Sequence, residues 1–204
     1  MTPRLPPGCV IALLGACATE RDALAQALAA RLNQRGIAAT LVADPLAAGA
    51  SEAAHDDDGT ARMLLATRLL HRIRQAAARG VVIAAGTPLG VLAATQGPAP
   101  DDAAVAWALT AQRHWAMTLL VGIAASPGAA TNSALAARDA RLRTWLLGAG
   151  MTFSVVHGDG SQRLANAWNA IVAQQDGGDG VASDAAMPAG AARRTGVQGC
   201  DRCS

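Results

Sequence analysis

Val10–Leu28, VIALLGACATERDALAQAL, is the stretch whose reading decides the fold. An apolar run ends in Gly15, crosses a few small residues and opens into a helix-forming segment. That is the strand–turn–helix frame of a phosphate-binding loop. Laid on the pattern G-x-x-x-x-G-K-[ST], the anchor glycine is Gly15, while the second glycine, the lysine and the hydroxyl positions hold Glu20, Arg21 and Asp22. The frame is right and its contents are changed. Two like charges about 4 Å apart repel by roughly 1 kcal/mol in water and about 4 kcal/mol at an intermediate dielectric. Glu20 and Asp22 therefore oppose an incoming anion. The same residues read as a helix start, Thr19 as N-cap with a carboxylate three positions on, which supplies its own negative charge.

Beyond this stretch the chain alternates strands and helices. Leu24, Leu28 and Leu32 form an apolar stripe on a helix expected over Arg21–Arg35, closed by Gly36. Ile37–Ala43 reads as a strand ending in Asp44-Pro45, and Gly49–Gly59, with Asp56 to Asp58, as a solvated loop. A helix over Ala61–Arg79 and the unbroken apolar strand Val81–Ala85 follow. Gly86–Pro100 reads as a loop with one helical turn near Val91–Ala94. Next come a helix from Asp101 or Asp102 to about Trp115, the strand Met117–Ile123, a loop over Ala124–Thr131, and a helix from Asn132 or Ser133 to Leu147. Thr152–His157 is the fifth strand, and Asp159-Gly-Ser-Gln162 feeds a last helix to about Gln174. This order predicts an α/β, three-layer fold, a five-stranded parallel sheet flanked by helices, over residues 1–175. Residues 176–204, Gly/Ala-rich and ending in the C-x-x-C of Cys200 and Cys203, are expected to be a disordered tail.

Composition narrows the function. At 204 residues the chain can bury a sizeable core, made of small side chains because only 2% of residues are aromatic. All 17 basic side chains are arginine, and the net charge of +2 gives no strong pull toward nucleic acid or an anionic membrane. No apolar run reaches the roughly 18–20 residues that span a bilayer. Leu14-Gly15-Ala16-Cys17 loosely imitates a lipoprotein cleavage site, but cleavage there would delete the first strand, so a cytoplasmic protein without a membrane partner is expected. Four cysteines are too few and scattered for a disulfide scaffold. His55, His71, His114 and His157 show no metal-ligand spacing, and Ser126, Ser133 and Ser161 sit in no nucleophile elbow.

Four segments in order carry a family resemblance: VIALLGACATERDALAQALAARL, ARG-VVIAAGTPLGV, TLLVGIAASPG and FSVVHGDGSQRLANA. Over residues 9–175 the chain resembles P-loop kinase-like proteins of the nicotinamide-ribonucleoside-kinase-like, AAA-type ATPase family. The resemblance implies ATP with Mg2+ as ligand and phosphoryl transfer or ATP hydrolysis as activity. It maps the nucleotide-binding loop onto Gly15, Ala16, Cys17, Ala18, Thr19, Glu20, Arg21 and Asp22, and the adenine end onto His157-Gly158-Asp159-Gly160. Arg21 falls on the P-loop lysine and Asp22 on the magnesium-binding hydroxyl. Arg138, Arg141 and Arg143 fall where P-loop kinases keep a phosphate-clamping lid, and arginine suits that task because it pairs bidentately with phosphate. Arg21, Arg138 and Arg141 are thus the implied catalytic side chains. The family's acid after strand three is replaced by Ala85 or Gly86, and the one after Gly122-Ile123 by Ala124. Asp44 is the nearest substitute, which makes Asp22 and Asp44 the candidate metal ligands. Two functions stay open: an ATP-binding kinase or ATPase with a degenerate site, or an inactive pseudo-ATPase serving as a protein-binding or regulatory module for an unknown partner.

Overall fold

A computed structural model describes residues 2–46, 59–94, 99–123 and 133–178. Along these the elements run β1 (Val10–Gly15), α1 (Ala18–Gln34), β2 (Ala39–Val42), α2 (Gly59–Ala77), β3 (Val81–Ala84), α3 (Pro88–Ala93), α4 (Asp102–Arg113), β4 (Met117–Val121), α5 (Ser133–Gly148), β5 (Ser154–Val156) and α6 (Gly160–Gly178). Asn132, His55, Ser126, most of the Gly49–Gly59 loop, the Ala124–Thr131 loop and the terminal cysteines lie outside the described residues.

The strands form one parallel sheet in the order β2-β3-β1-β4-β5. β1 is therefore central, pairing Ile11 with Ile83 on one side and Met117 on the other. Every β1 and β3 residue is buried, which is why both read as unbroken apolar runs. Alternate side chains face opposite layers. Ile11, Leu13, Ile83 and Leu119 pack on Leu24, Leu28 and Leu32 of α1 and on Trp168 and Ile171 of α6. Val10, Val82 and Ala84 meet Leu69 and Ile73 of α2, while Leu14 and Leu120 meet Leu89 of α3, Ala108 of α4 and Leu142 and Leu146 of α5. This is the expected three-layer arrangement.

Two boundaries differ from the sequence reading in ways that matter for the site. α1 begins at Ala18, with Cys17 as its N-cap, so Thr19 lies inside the helix and is not the cap. Only Ala16 and Cys17 separate the strand from the helix. The first turn closes early because Cys17 is extended (φ −88°, ψ 113°) and its carbonyl accepts from the Arg21 N–H at 3.2 Å. α3 is longer than one turn, because Pro88 pre-sets its first residue and the buried Thr87 hydroxyl accepts from the Gly90 N–H at 2.9 Å.

Candidate functional site

In an open parallel sheet, ligands bind beyond the carboxyl ends of the strands, where connections leave in opposite directions. Here that point lies at the end of β1, between β3 and β4. Gly15 closes β1, Asp44 follows β2, Gly86 follows β3, Gly122 follows β4 and His157 follows β5.

Arg21, at the place of a P-loop lysine, points inward. It is 1% exposed, its Nη1 donates to the Gly15 carbonyl at 3.0 Å, and its Nη2 is ion-paired with Asp44. Asp44 is 3% exposed, and its second oxygen, Oδ1, accepts from the Leu46 N–H at 3.0 Å. Register explains how the acid fits. Val42 pairs with Ala84, and the Ala85 N–H donates to the Val42 carbonyl at 2.9 Å, so Asp44 and Gly86 leave their strands side by side. A Cβ on Gly86 would lie 2.7 Å from the Asp44 Cα and 3.1 Å from its Cγ. A side chain after β3 would force this path of Asp44 to shift; the carboxylate following β2 stands beside the position after β3 where the resemblance implies an acid.

Asp22 borders the same pair. Its Oδ1 lies 3.8 Å from Arg21 Nη2, outside hydrogen-bond reach, and is buried without a partner among the described residues. Burial is the leading cause that raises its carboxyl above the usual range; the Arg21 cation opposes this and the Asp44 anion adds to it. Glu20 is answered from the neighbouring helix by Arg163 of α6, whose Nη2 lies 3.3 Å from Glu20 Oε1 and whose Nε donates to the Gly158 carbonyl at 2.7 Å. Arg163 is 5% exposed, and its position four residues after Asp159, in the first turn of α6, is the one sequence signal that points to it.

The expected lid arginines lie on α5, and each spends donors on the chain itself. Arg138 reaches the Ala16 carbonyl at 3.3 Å and the Gly90 carbonyl at 3.0 Å. Arg141 donates to the Ala93 carbonyl, at the end of α3, at 3.1 Å, and Arg143 pairs with Asp139 at 2.6 Å. Burial lowers the Arg138 guanidinium to about 10; Arg21 and Arg141 push the same way, while Asp44 and Cys17 resist. At the other end of the site, the His157 ring covers Gly122, where a Cβ would lie 2.9 Å from Nδ1. Gly158 takes a positive φ of 94° with the Gln162 side chain packed against it, and Asp159 completes that turn through its carbonyl, which accepts from the Arg163 N–H.

The structure thus brings Gly15, Ala16, Cys17, Glu20, Arg21, Asp22, Asp44 and Arg138 to one strand edge, with Arg141 beside Arg138 and with Gly158 and Asp159 at the β5 end. Ala18 and Thr19 form the first turn of α1 rather than a loop. As they stand, these groups do not fit a magnesium–triphosphate held in a P-loop. The connection is too short to encircle a phosphate, and the basic side chain is already paired. Among the described residues no three His, Cys, Asp or Glu side chains converge as a metal site.

No protein-family model matches the chain, and no curated protein is significantly similar to it in sequence. Among solved structures it is similar to that of the NadR protein in complex with NAD and AMP-PNP, with a TM-score of 0.59 and 14% identity. The match covers 82% of this chain and 49% of that one, so the chain spans about half the length of the protein it resembles. The likeness, with the parallel sheet ordered about a central β1, defines the class: a P-loop NTPase-like α/β fold. No helix among the described residues is long and apolar enough to cross a membrane.

Proposed function

We propose that this chain is a P-loop kinase-like protein that has given up phosphoryl transfer and serves as a protein-binding or regulatory module. The observation that carries the reading is the fate of Arg21. In a working loop the basic side chain after the glycine turn faces the phosphates. Here it is buried against Asp44 and the Gly15 carbonyl. The acids around it work in the same direction, since Asp22 and Asp44 already give Arg21 two carboxylate neighbours.

The competing reading is ATP and magnesium binding with phosphoryl transfer or hydrolysis, with Arg21, Arg138 and Arg141 as the charge-stabilising groups and Asp22 and Asp44 on the metal. It draws on one observation, the desolvated Arg138 cation beside Arg21, whose charge an anion would relieve. AMP-PNP in the complex of the similar NadR protein agrees with it.

Thermal unfolding followed during nucleotide titration, with and without magnesium, separates the two. The pseudo-ATPase reading expects no shift of the midpoint at millimolar ATP and no phosphate release. A magnesium-dependent shift of several degrees, as ligand linkage gives at concentrations well above Kd, overturns it.

A further inference from the structure

We infer that Asp44 is a tethered stand-in for a phosphate-class oxyanion, an autoinhibitory contact that keeps Arg21 from any free anion. The inference rests on the self-filled site proposed above and names the group that fills it.

Three acids are near enough to compete for that role, and the geometry separates them. Glu20 is held by Arg163 of α6, and Asp22 stands 3.8 Å away with 23% of its side chain exposed. Asp44 alone is fully inserted. One of its oxygens takes the guanidinium of Arg21 and the other takes the backbone N–H of Leu46. A guanidinium and a main-chain amide, converging on two oxygens in a buried setting, form the donor set that recognises an oxyanion. The chain has also made room for the intruder, because Gly86 leaves the space that a Cβ would take from Asp44. Arg138 supplies a second cation near Arg21, and its depressed basicity marks a place where more negative charge is tolerated. Without the Asp44 carboxylate, Arg21 keeps its bond to Gly15 and loses its hydrogen-bonded anion, with Asp22 left 3.8 Å away. The donors that remain suit a phosphate oxygen.

The test compares the full chain with Asp44→Ala, Asp44→Asn and Arg21→Met/Asp44→Ala by thermal unfolding. Each is measured in inorganic phosphate, in sodium formate and in chloride of matched ionic strength; the wild type is also measured with Mg-ATP. Phosphate raises the stability of many proteins nonspecifically, so the quantity read is the shift beyond that of the wild type. A site with a Kd near 1 mM gives an Asp44→Ala midpoint rise of about 3–5 °C in roughly 10 mM phosphate, and no such excess in the double variant. If Asp44→Ala does not fold in chloride, recovery of its native circular dichroism by phosphate but not formate supports the inference. Failure to recover, together with a folded Asp44→Asn that phosphate does not shift, overturns it, as does unfolding of both variants without rescue. Rescue by formate and phosphate alike also overturns it, because the vacated space is then only a carboxylate-sized hole. A wild-type shift with Mg-ATP refutes the pseudo-ATPase reading itself. A silent wild type with a silent, folded Asp44→Ala refutes only the role given to Asp44.

Discussion

Replacing Gly86 by alanine tests the packing on which the whole site depends. The φ of Gly86 lies outside the left-handed region, so alanine brings no dihedral strain; the cost is close approach. The added methyl would sit 2.7 Å from the Asp44 Cα, 3.0 Å from its Cβ and 3.1 Å from its Cγ. The nearest atom belongs to the backbone, which cannot rotate away. That backbone is held on both sides, by the Ala85 N–H on the Val42 carbonyl at 2.9 Å and by the Leu46 N–H on Asp44 Oδ1 at 3.0 Å. Overpacking of this kind costs about 1–3 kcal/mol. At about 2–4 °C per kcal/mol for a chain of this size, a central value of about 2 kcal/mol lowers the midpoint by roughly 4–8 °C. Urea and thermal unfolding of Gly86→Ala measure it directly. In an Asp44→Ala background only the Cγ contact disappears, so most of the penalty should persist. A Gly86→Ala variant within about 0.5 kcal/mol of wild type would refute the account of how Asp44 is admitted.

Three other outcomes follow from the same region. Arg21→Met leaves Asp44 buried without its cation and should cost about 3–5 kcal/mol, whereas Arg21→Met/Asp44→Leu should return to within about 1 kcal/mol of wild type, since apolar replacement of a whole buried pair is often neutral; a double variant as unstable as the single one contradicts this. Asp22→Asn should stabilise the protein at neutral pH. Folding raises the Asp22 carboxyl, so the folded state favours the protonated acid, and ionisation lowers stability as pH rises through the raised value. Denaturant unfolding at pH 7 and near pH 3 should therefore show a gain only at the higher pH, and an equal gain at both excludes this cause. Thr87→Ala removes the buried cap on Gly90 and should cost about 1–2 kcal/mol in urea unfolding, a loss that Thr87→Ser largely restores.

The layered fold was legible because it is written in period and punctuation. The apolar runs Val10–Gly15 and Val81–Ala84 mark strands covered on both faces, and the leucines of α1 fall at helical spacing. What stayed hidden depends on contacts between distant elements. The altered loop residues were plain, but the early start of α1 follows from the extended Cys17, and a G-x-x-x-x-G template imposed on the letters does not reveal it. Asp44 could be named as a substitute acid, yet its pairing with Arg21 requires β2 and β3 to be neighbours, which the sheet order supplies. Gly86 read as a lost carboxylate; in the structure its missing side chain is the space another carboxylate enters. Arginines were hardest to read, because a long side chain such as Arg163 can reach Glu20, 143 positions away by subtraction of their numbers, and leave no local pattern.

The buried pair also constrains the history available to the chain. Changing residues 20, 21 and 22 to the G-K-[ST] pattern would not vacate the place taken by Asp44. Losing Asp44 first strands a guanidinium in the interior, and losing Arg21 first strands a carboxylate. Each single step carries a stability cost that only a simultaneous or compensated change avoids. Arg21 and Asp44 are therefore expected to change together or not at all.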